Sequence, residues 1–185
     1  NQLVLFSLGR LITRKGFDQV ILSLPLVWPT VPNLIYCLAG AGPAEAYLRQ
    51  QVESLPPAKQ ERIKFLGNLS EADKWHWLDL CHTFIMPARD IAGDFEGFGI
   101  VYLEAALACK PVIAGRSGGV ADAVLNNRTG LLVDPEKTAE IAQAIIKLAH
   151  YPGLRQRLGD QARQRALTDF NWQKLAKKIY EIVNH

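Results

Sequence analysis

The sequence has no apolar run long enough to cross a bilayer. Its best candidate, Val20 to Trp28, is interrupted by Ser23 and Pro25 and stops well short of the about 20 residues that a spanning helix needs. No basic segment leads into an apolar core near the first residue and the chain does not open on Met, so no secretory leader is visible and the chain reads as a piece of something longer. Cysteine is scarce: Cys37, Cys81 and Cys109 are far apart, odd in number and without a C-x-x-C pair. They read as reduced core thiols of a cytoplasmic protein, not as a disulfide framework. The four histidines show no i, i+4 pairing and no cysteine nearby, which argues against a zinc site.

What the sequence does have is an ordinary globular composition, 185 residues with 49% hydrophobic and 21% charged. A chain of this size buries enough surface for a core without a staple. Its net charge of +3 is unevenly placed: residues 147–185 hold eight Lys or Arg against three acids, and the other residues hold 13 against 15. A basic tail suits a solvated helix face, or a surface patch for membrane or nucleic acid. No aromatic residues alternate with the basic ones as a base-stacking platform requires, so no nucleic-acid partner is expected.

Short runs rich in Val, Ile and Leu alternate with longer amphipathic stretches, the pattern of repeated βα units around a parallel sheet. Strands are expected at Leu3–Leu8, Leu34–Ala39, Ile63–Leu66, Thr83–Met86, Val112–Ala114 and Gly130–Val133. Helices are expected at Phe17–Leu24, Ala44–Ser54, Glu71–Asp79, Phe98–Ala108, Val120–Leu125 and Thr138–His150, followed by two more before His185. Ser70 with Asp73 resembles a capping box, and Pro25 should end or kink the first helix. The fold class is therefore α/β, one Rossmann-like parallel sheet flanked by helices and closed by extra C-terminal helices.

Several turns carry chemistry. The first strand runs into Gly9-Arg10-Leu11-Ile12-Thr13-Arg14-Lys15-Gly16, at the carboxyl end where open α/β sheets bind ligands. Arg10 and Lys15 could clamp phosphate oxygens there, although a solvent-exposed turn would look the same. The segment Asp94-Phe95-Glu96-Gly97-Phe98-Gly99-Ile100 opens an apolar helix with two glycines, exposing amides at a helix start that favours an anion. Were the segment helical from Glu96, Glu104 would lie about 12 Å further along the axis. Glu104 is a lone carboxylate among apolar neighbours; it needs partners, either ribose hydroxyls or one of the loop cations. Gly40-Ala41-Gly42-Pro43 and Gly115-Arg116-Ser117-Gly118-Gly119 could also lay backbone close to a ligand. Position 45 is Glu where a dinucleotide fingerprint has its third glycine, which disfavours a dehydrogenase.

Taken together, Gly9-Arg10-Leu11 with Lys15-Gly16, Gly40-Ala41-Gly42-Pro43, Phe65-Leu66-Gly67, the E-x7-E pair Glu96 and Glu104 around Gly97-Phe98-Gly99, Pro111-Val112-Ile113-Ala114, Gly118-Gly119 and Thr129-Gly130-Leu131-Leu132-Val133 resemble the C-terminal, donor-binding half of a GT-B retaining glycosyltransferase of family four. The resemblance covers nearly the whole chain. It implies a nucleotide-sugar-binding domain over residues 1–185, with the N-terminal acceptor domain absent. It further implies that Arg10 and Lys15 hold the donor diphosphate, that Glu96 meets hydroxyls of the transferred sugar, and that Glu104 binds the ribose. Gly9 and the backbone of Gly97, Phe98, Gly99 and Ile100 would lie along phosphate and sugar, and Gly67, Asn68 and Leu69 would flank the base. The chain departs from the family's usual residues at Ala88, Lys110 and Asp122, none of them an implied donor contact.

The implied activity is retaining transfer from a nucleoside diphosphate sugar to an acceptor hydroxyl of a sugar or lipid, in a polysaccharide or glycolipid pathway. No cofactor and no metal are expected, since no D-x-D motif is present and cations with a helix start can stabilise the leaving diphosphate. The isolated domain should be inactive, and its place is the cytoplasm or the cytoplasmic face of a membrane. A GT-B half that binds without catalysing remains the alternative. An epimerase or phosphorylase of the same architecture accounts for the βα pattern but not for the E-x7-E pair.

Overall fold

The computed structural model describes residues 2–183. Six strands, β1 (Leu3–Leu8), β2 (Leu34–Ala39), β3 (Ile63–Gly67), β4 (Thr83–Met86), β5 (Val112–Gly115) and β6 (Gly130–Val133), form one parallel sheet in the order β3-β2-β1-β4-β5-β6. Their near-continuous burial follows from parallel strands being covered on both faces; β4 and β5 are buried at every residue. Even the polar Ser7 inside β1 is paired, donating to the Ile85 carbonyl and accepting the Tyr36 hydroxyl at 2.8 Å. That pairing ties β1 to both neighbours.

The helices are α1 (Phe17–Val27), α2 (Glu45–Glu53), α3 (Pro57–Gln60), α4 (Glu71–Leu80), α5 (Ile100–Leu107), α6 (Val120–Ala123), α7 (Thr138–His150), α8 (Pro152–Asp169) and α9 (Trp172–Val183). The two closing helices expected from sequence are α8 and α9. The Ser70 hydroxyl accepts the Asp73 amide at 3.1 Å and caps α4 as expected. α1 packs on α7 and α5 on α8.

Three expectations need correction. Pro25 does not end α1: the helix runs to Val27, and the Trp28 amide still donates to Leu24. One lost hydrogen bond in the last turn is outweighed because Leu24, Val27 and Trp28 are all buried. α5 starts at Ile100 and not at Phe98, because Gly99 takes a left-handed φ of +81°. Glu96 is therefore a loop residue, and the helical spacing to Glu104 does not apply. The basic tail is also more than a solvated face. Arg155 donates to the carbonyls of Leu148 and Ala149, and Arg165 to those of Asp122 and Ala123, so each supplies positive charge to the last turn of α7 or α6. Among the described residues, no helix is long and apolar enough to cross a membrane.

Candidate nucleotide-sugar site

The strand order reverses at β1, which lies between β2 and β4. In open α/β sheets the crevice outside the carboxyl ends of such strands is where ligands bind. The turn after β1 (residues 9–16) and the long connection after β4 (residues 87–99) meet there. They enclose a cavity of about 480 Å³ lined by Leu8, Gly9, Lys15, Glu96, Gly97, Phe98, Gly99, Ile100, Val101 and Glu104, within the usual size for a small-ligand site. Nine of the twelve site residues expected from sequence concern these two segments and α5, and eight of them line this one cavity.

Electrostatics concentrate at one wall of it. Residues Thr13–Lys15 form a 3-10 turn that aims Arg14 and Lys15 at the facing loop. Lys15 Nζ and Arg14 Nη1 both pair with the same oxygen, Oε2 of Glu96, the arginine at 3.0 Å, and Arg14 Nε also reaches Asp94 Oδ1 at 3.0 Å. Side-chain exposures are 13% for Lys15 and 11% for Glu96, so the cluster is largely desolvated and each charge depends on its partners. Below it, α5 begins at Ile100, and the first amides of a helix have no partner within it. The cavity thus brings together the Lys15–Glu96 pair, the backbone donors of the helix start and a second carboxylate, Glu104.

Glu104 does have an ion-pair partner, but not the expected loop cation. Lys74 from the first turn of α4 reaches its Oε1 at 2.6 Å and also holds Glu71 at 2.9 Å. These two carboxylates raise the affinity of Lys74 for its proton against the opposing effect of burial, which acts on it most strongly but does not prevail.

Four expected residues fall outside the cavity. Arg10 is exposed and lines an adjoining groove of about 570 Å³ with Arg14, Tyr47, Ile91 and Asp94. Arg10 and Lys15 thus line different spaces, with the Arg14–Lys15–Glu96 cluster between them. Gly67 and Asn68 are exposed at the end of β3, and Leu69 packs partly against the core; none of the three lines the cavity.

The other two glycine turns are supports. A Cβ on Gly40 would lie 1.9 Å from the Gly9 carbonyl oxygen, and one on Gly119 would lie 1.8 Å from that of Gly97. Leu11 and Gly119 further donate their amides to Ala41 and Glu96. The glycines are needed because neighbouring backbone comes this close.

Sequence reasoning missed Arg14, Asp94, Lys74, Arg89 and Asp18. Buried Arg89 donates to Asp18 Oδ2 at 2.7 Å while its amide donates to the Arg14 carbonyl at 2.8 Å. The charges themselves were visible, two cations at 14–15 and acids at 94 and 96, but not that they face each other. Nothing in the spacing pointed to Lys74 or Arg89. Among the described residues no group of three or more His, Cys, Asp or Glu could hold a metal.

A parallel sheet in this order, with a charged cavity at its switch point, defines a doubly wound, Rossmann-like ligand-binding domain. The chain superposes over its full length on 48% of an Anabaena protein, Alr3699/HepE, solved in complex with UDP and glucose, with a TM-score of 0.87 at 25% identity. It also covers 87% of a solved C-terminal domain of a group 1 glycosyl transferase, LpcC of Francisella tularensis, at TM-score 0.79 and 20% identity, which shows the shared fold. Residues 1–165 match the family model for glycosyl transferases group 1, and the chain belongs to that family. It is 34% identical over 177 residues to a GDP-mannose-dependent monoacylated alpha-(1-6)-phosphatidylinositol monomannoside mannosyltransferase of Corynebacterium glutamicum, covering 95% of this chain and 45% of that protein. With a glycogen synthase of Mycobacterium tuberculosis it shares 32% over 182 residues, 96% of this chain and 41% of that one. The chain thus spans less than half the length of these relatives.

Proposed function

We propose that the cavity binds a nucleoside diphosphate sugar, and that the chain serves as the donor half of a retaining, metal-independent glycosyltransferase. The observation that carries this reading is the convergence of Lys15, Glu96, the amide-rich start of α5 and Glu104 on one cavity at the switch point of the sheet. Lys15 and the helix start receive the diphosphate. Cleaving the sugar–phosphate bond leaves negative charge on that diphosphate, and donors already in place stabilise it without reorganising. Glu96, on the loop before α5, meets sugar hydroxyls. Glu104, one turn into the helix, accepts ribose hydroxyls with the acceptor capacity that Lys74 leaves it. Arg10 approaches the phosphates from the adjoining groove, and the exposed turn Gly67–Leu69 borders the base.

The names of the relatives and of the solved neighbour support two nucleotides, guanosine and uridine diphosphates. The acceptor, a sugar or glycolipid hydroxyl, is held by a domain outside this chain, and the basic C-terminal helices leave a peripheral membrane contact as part of the proposal.

Calorimetry of the 185-residue chain with UDP, GDP and ADP, with and without EDTA, tests the reading. Binding of at least one nucleotide, unchanged by chelation, is the expected result. Binding of none removes the donor-site assignment, and binding abolished by EDTA removes its metal-free part.

A further inference from the structure

The ion cluster poses a problem that a bound donor would make acute. Lys15 lines the cavity, but its ammonium is already committed to Glu96 Oε2. If it turns toward a diphosphate, it abandons a carboxylate whose side chain is only 11% exposed. An uncompensated buried charge is strongly unfavourable, so the exchange needs a second cation that stays behind.

Arg14 is built for that role. It reaches the same Glu96 oxygen from outside the cavity, at 3.0 Å. It also has two further ties. Its Nε is fixed to Asp94 at 3.0 Å, and its carbonyl accepts the Arg89 amide at 2.8 Å. Arg89 is in turn held through its guanidinium to Asp18 at 2.7 Å, on the helix that begins just after the turn. The planar fork of an arginine serves Asp94 through Nε and Glu96 through Nη1 in one fixed geometry, whereas a lysine is a point charge on a flexible stem. Two adjacent cations therefore differ in kind, Lys15 facing the cavity and Arg14 facing the adjoining groove with a carboxylate on each of two guanidinium nitrogens.

We infer that Arg14 is a positioning residue that acts through Glu96, the stationary counter-ion that keeps Glu96 charged and oriented while Lys15 exchanges the carboxylate for the donor diphosphate. The inference rests on the donor-site reading above. Without Arg14, Lys15 is the last partner of Glu96, and every bound diphosphate must compete with that carboxylate for it.

The test is a double-mutant cycle read by calorimetry on the 185-residue chain, with UDP and GDP as probes and thermal melts as a folding control. Arg14→Gln should weaken nucleotide binding about tenfold or more. Adding Glu96→Gln to that variant should recover most of the loss, because the competitor for Lys15 is then neutral. Arg14→Lys should recover part, the charge being restored but not the fork. A merely structural arginine gives the opposite pattern, with the double variant as weak as Arg14→Gln or weaker. That pattern overturns the inference, as does an Arg14→Gln chain that binds like the parent. If Arg14→Gln does not melt cooperatively, the comparison of Arg14→Lys with and without Glu96→Gln carries the same contrast. A parent chain that binds neither probe overturns the donor-site reading and this inference together; a parent that binds while the cycle shows no recovery overturns this inference alone.

Discussion

At the scale of single residues, the two glutamates of the E-x7-E pair are held so differently that their substitution should separate them. Glu104 sits on α5 with 23% side-chain exposure and one oxygen on Lys74. Glu104→Ala should weaken bare nucleotides and nucleotide sugars alike, by about 1 to 3 kcal/mol for lost bonds to a charged acceptor. Glu96→Gln keeps size and most hydrogen bonding, so bare UDP or GDP should bind about as before while the intact enzyme loses rate or alters its sugar preference. Calorimetry with both ligand types checks this, and equal weakening of the bare nucleotide by both substitutions would reverse the assignment. The cysteines give a simpler case. Burial pushes the Cys81 thiol up to about 12 and the Cys37 thiol up to about 11, so neither presents a thiolate at neutral pH. Mass spectrometry after brief alkylation of the native chain should find any adduct on the half-buried Cys109 and none on the other two.

At the scale of elements, the informative piece is α8, which carries Gly159 in its interior. Replacing an exposed mid-helix glycine with alanine normally stabilises by about 1 kcal/mol. Here a Cβ would stand 2.0 Å from the carbonyl oxygen of Cys109, in the turn that leads from α5 to β5. That turn is itself strained, with Cys109 at a φ of +57°. Gly159→Ala should therefore destabilise, by about 1 to 3 kcal/mol as for other overpacking changes. A higher melting temperature for the variant would contradict the close approach of α8 to that turn. The same helix ends near the candidate site, where Phe170 meets Phe98 edge to face at 5.4 Å. Loss of its packing should consequently reach the loop that carries Glu96.

At the scale of the whole molecule, one titration and one absence of activity are expected. His82, at the start of β4, accepts the Val4 amide through Nδ1 at 3.1 Å. Burial, followed by the nearby charges of Arg155 and Lys110, holds its pKa below the ordinary 6.5. As pH falls through 6.5 the unfolded chain takes up the proton before the folded one, so stability should decline below that pH until the folded form also protonates. Melting temperatures between neutral and mildly acidic pH should show this decline, and His82→Gln should flatten it. The chain alone should also transfer no sugar even when it binds donor, since the acceptor hydroxyl must be held in attack geometry. A transfer assay with labelled nucleotide sugar and simple glycoside acceptors checks it, and turnover would contradict the division of labour proposed here.

The sequence by itself determined the sheet. Short Val, Ile and Leu runs have nowhere to go but a core covered on both faces, so all six strands were legible to within a residue, as were most helices. It also determined the chemical inventory of the site, because glycine-bounded turns after β1 and β4 and the glutamates at 96 and 104 are local features. Tertiary structure alone decided how that inventory is wired. Whether Pro25 ends a helix depends on what Leu24, Val27 and Trp28 pack against, and the start of α5 on a backbone angle at Gly99. The partner of Glu104 turned out to lie on α4, 30 residues away, and the glycines at 40 and 119 face neighbouring backbone. Arg10 and Lys15, five positions apart, open onto different spaces. Patterning acts over a few residues, whereas ion pairs and backbone contacts join segments that meet only once the strands are in order, and that is why the cluster of Arg14, Lys15 and Glu96 could not be read along the chain.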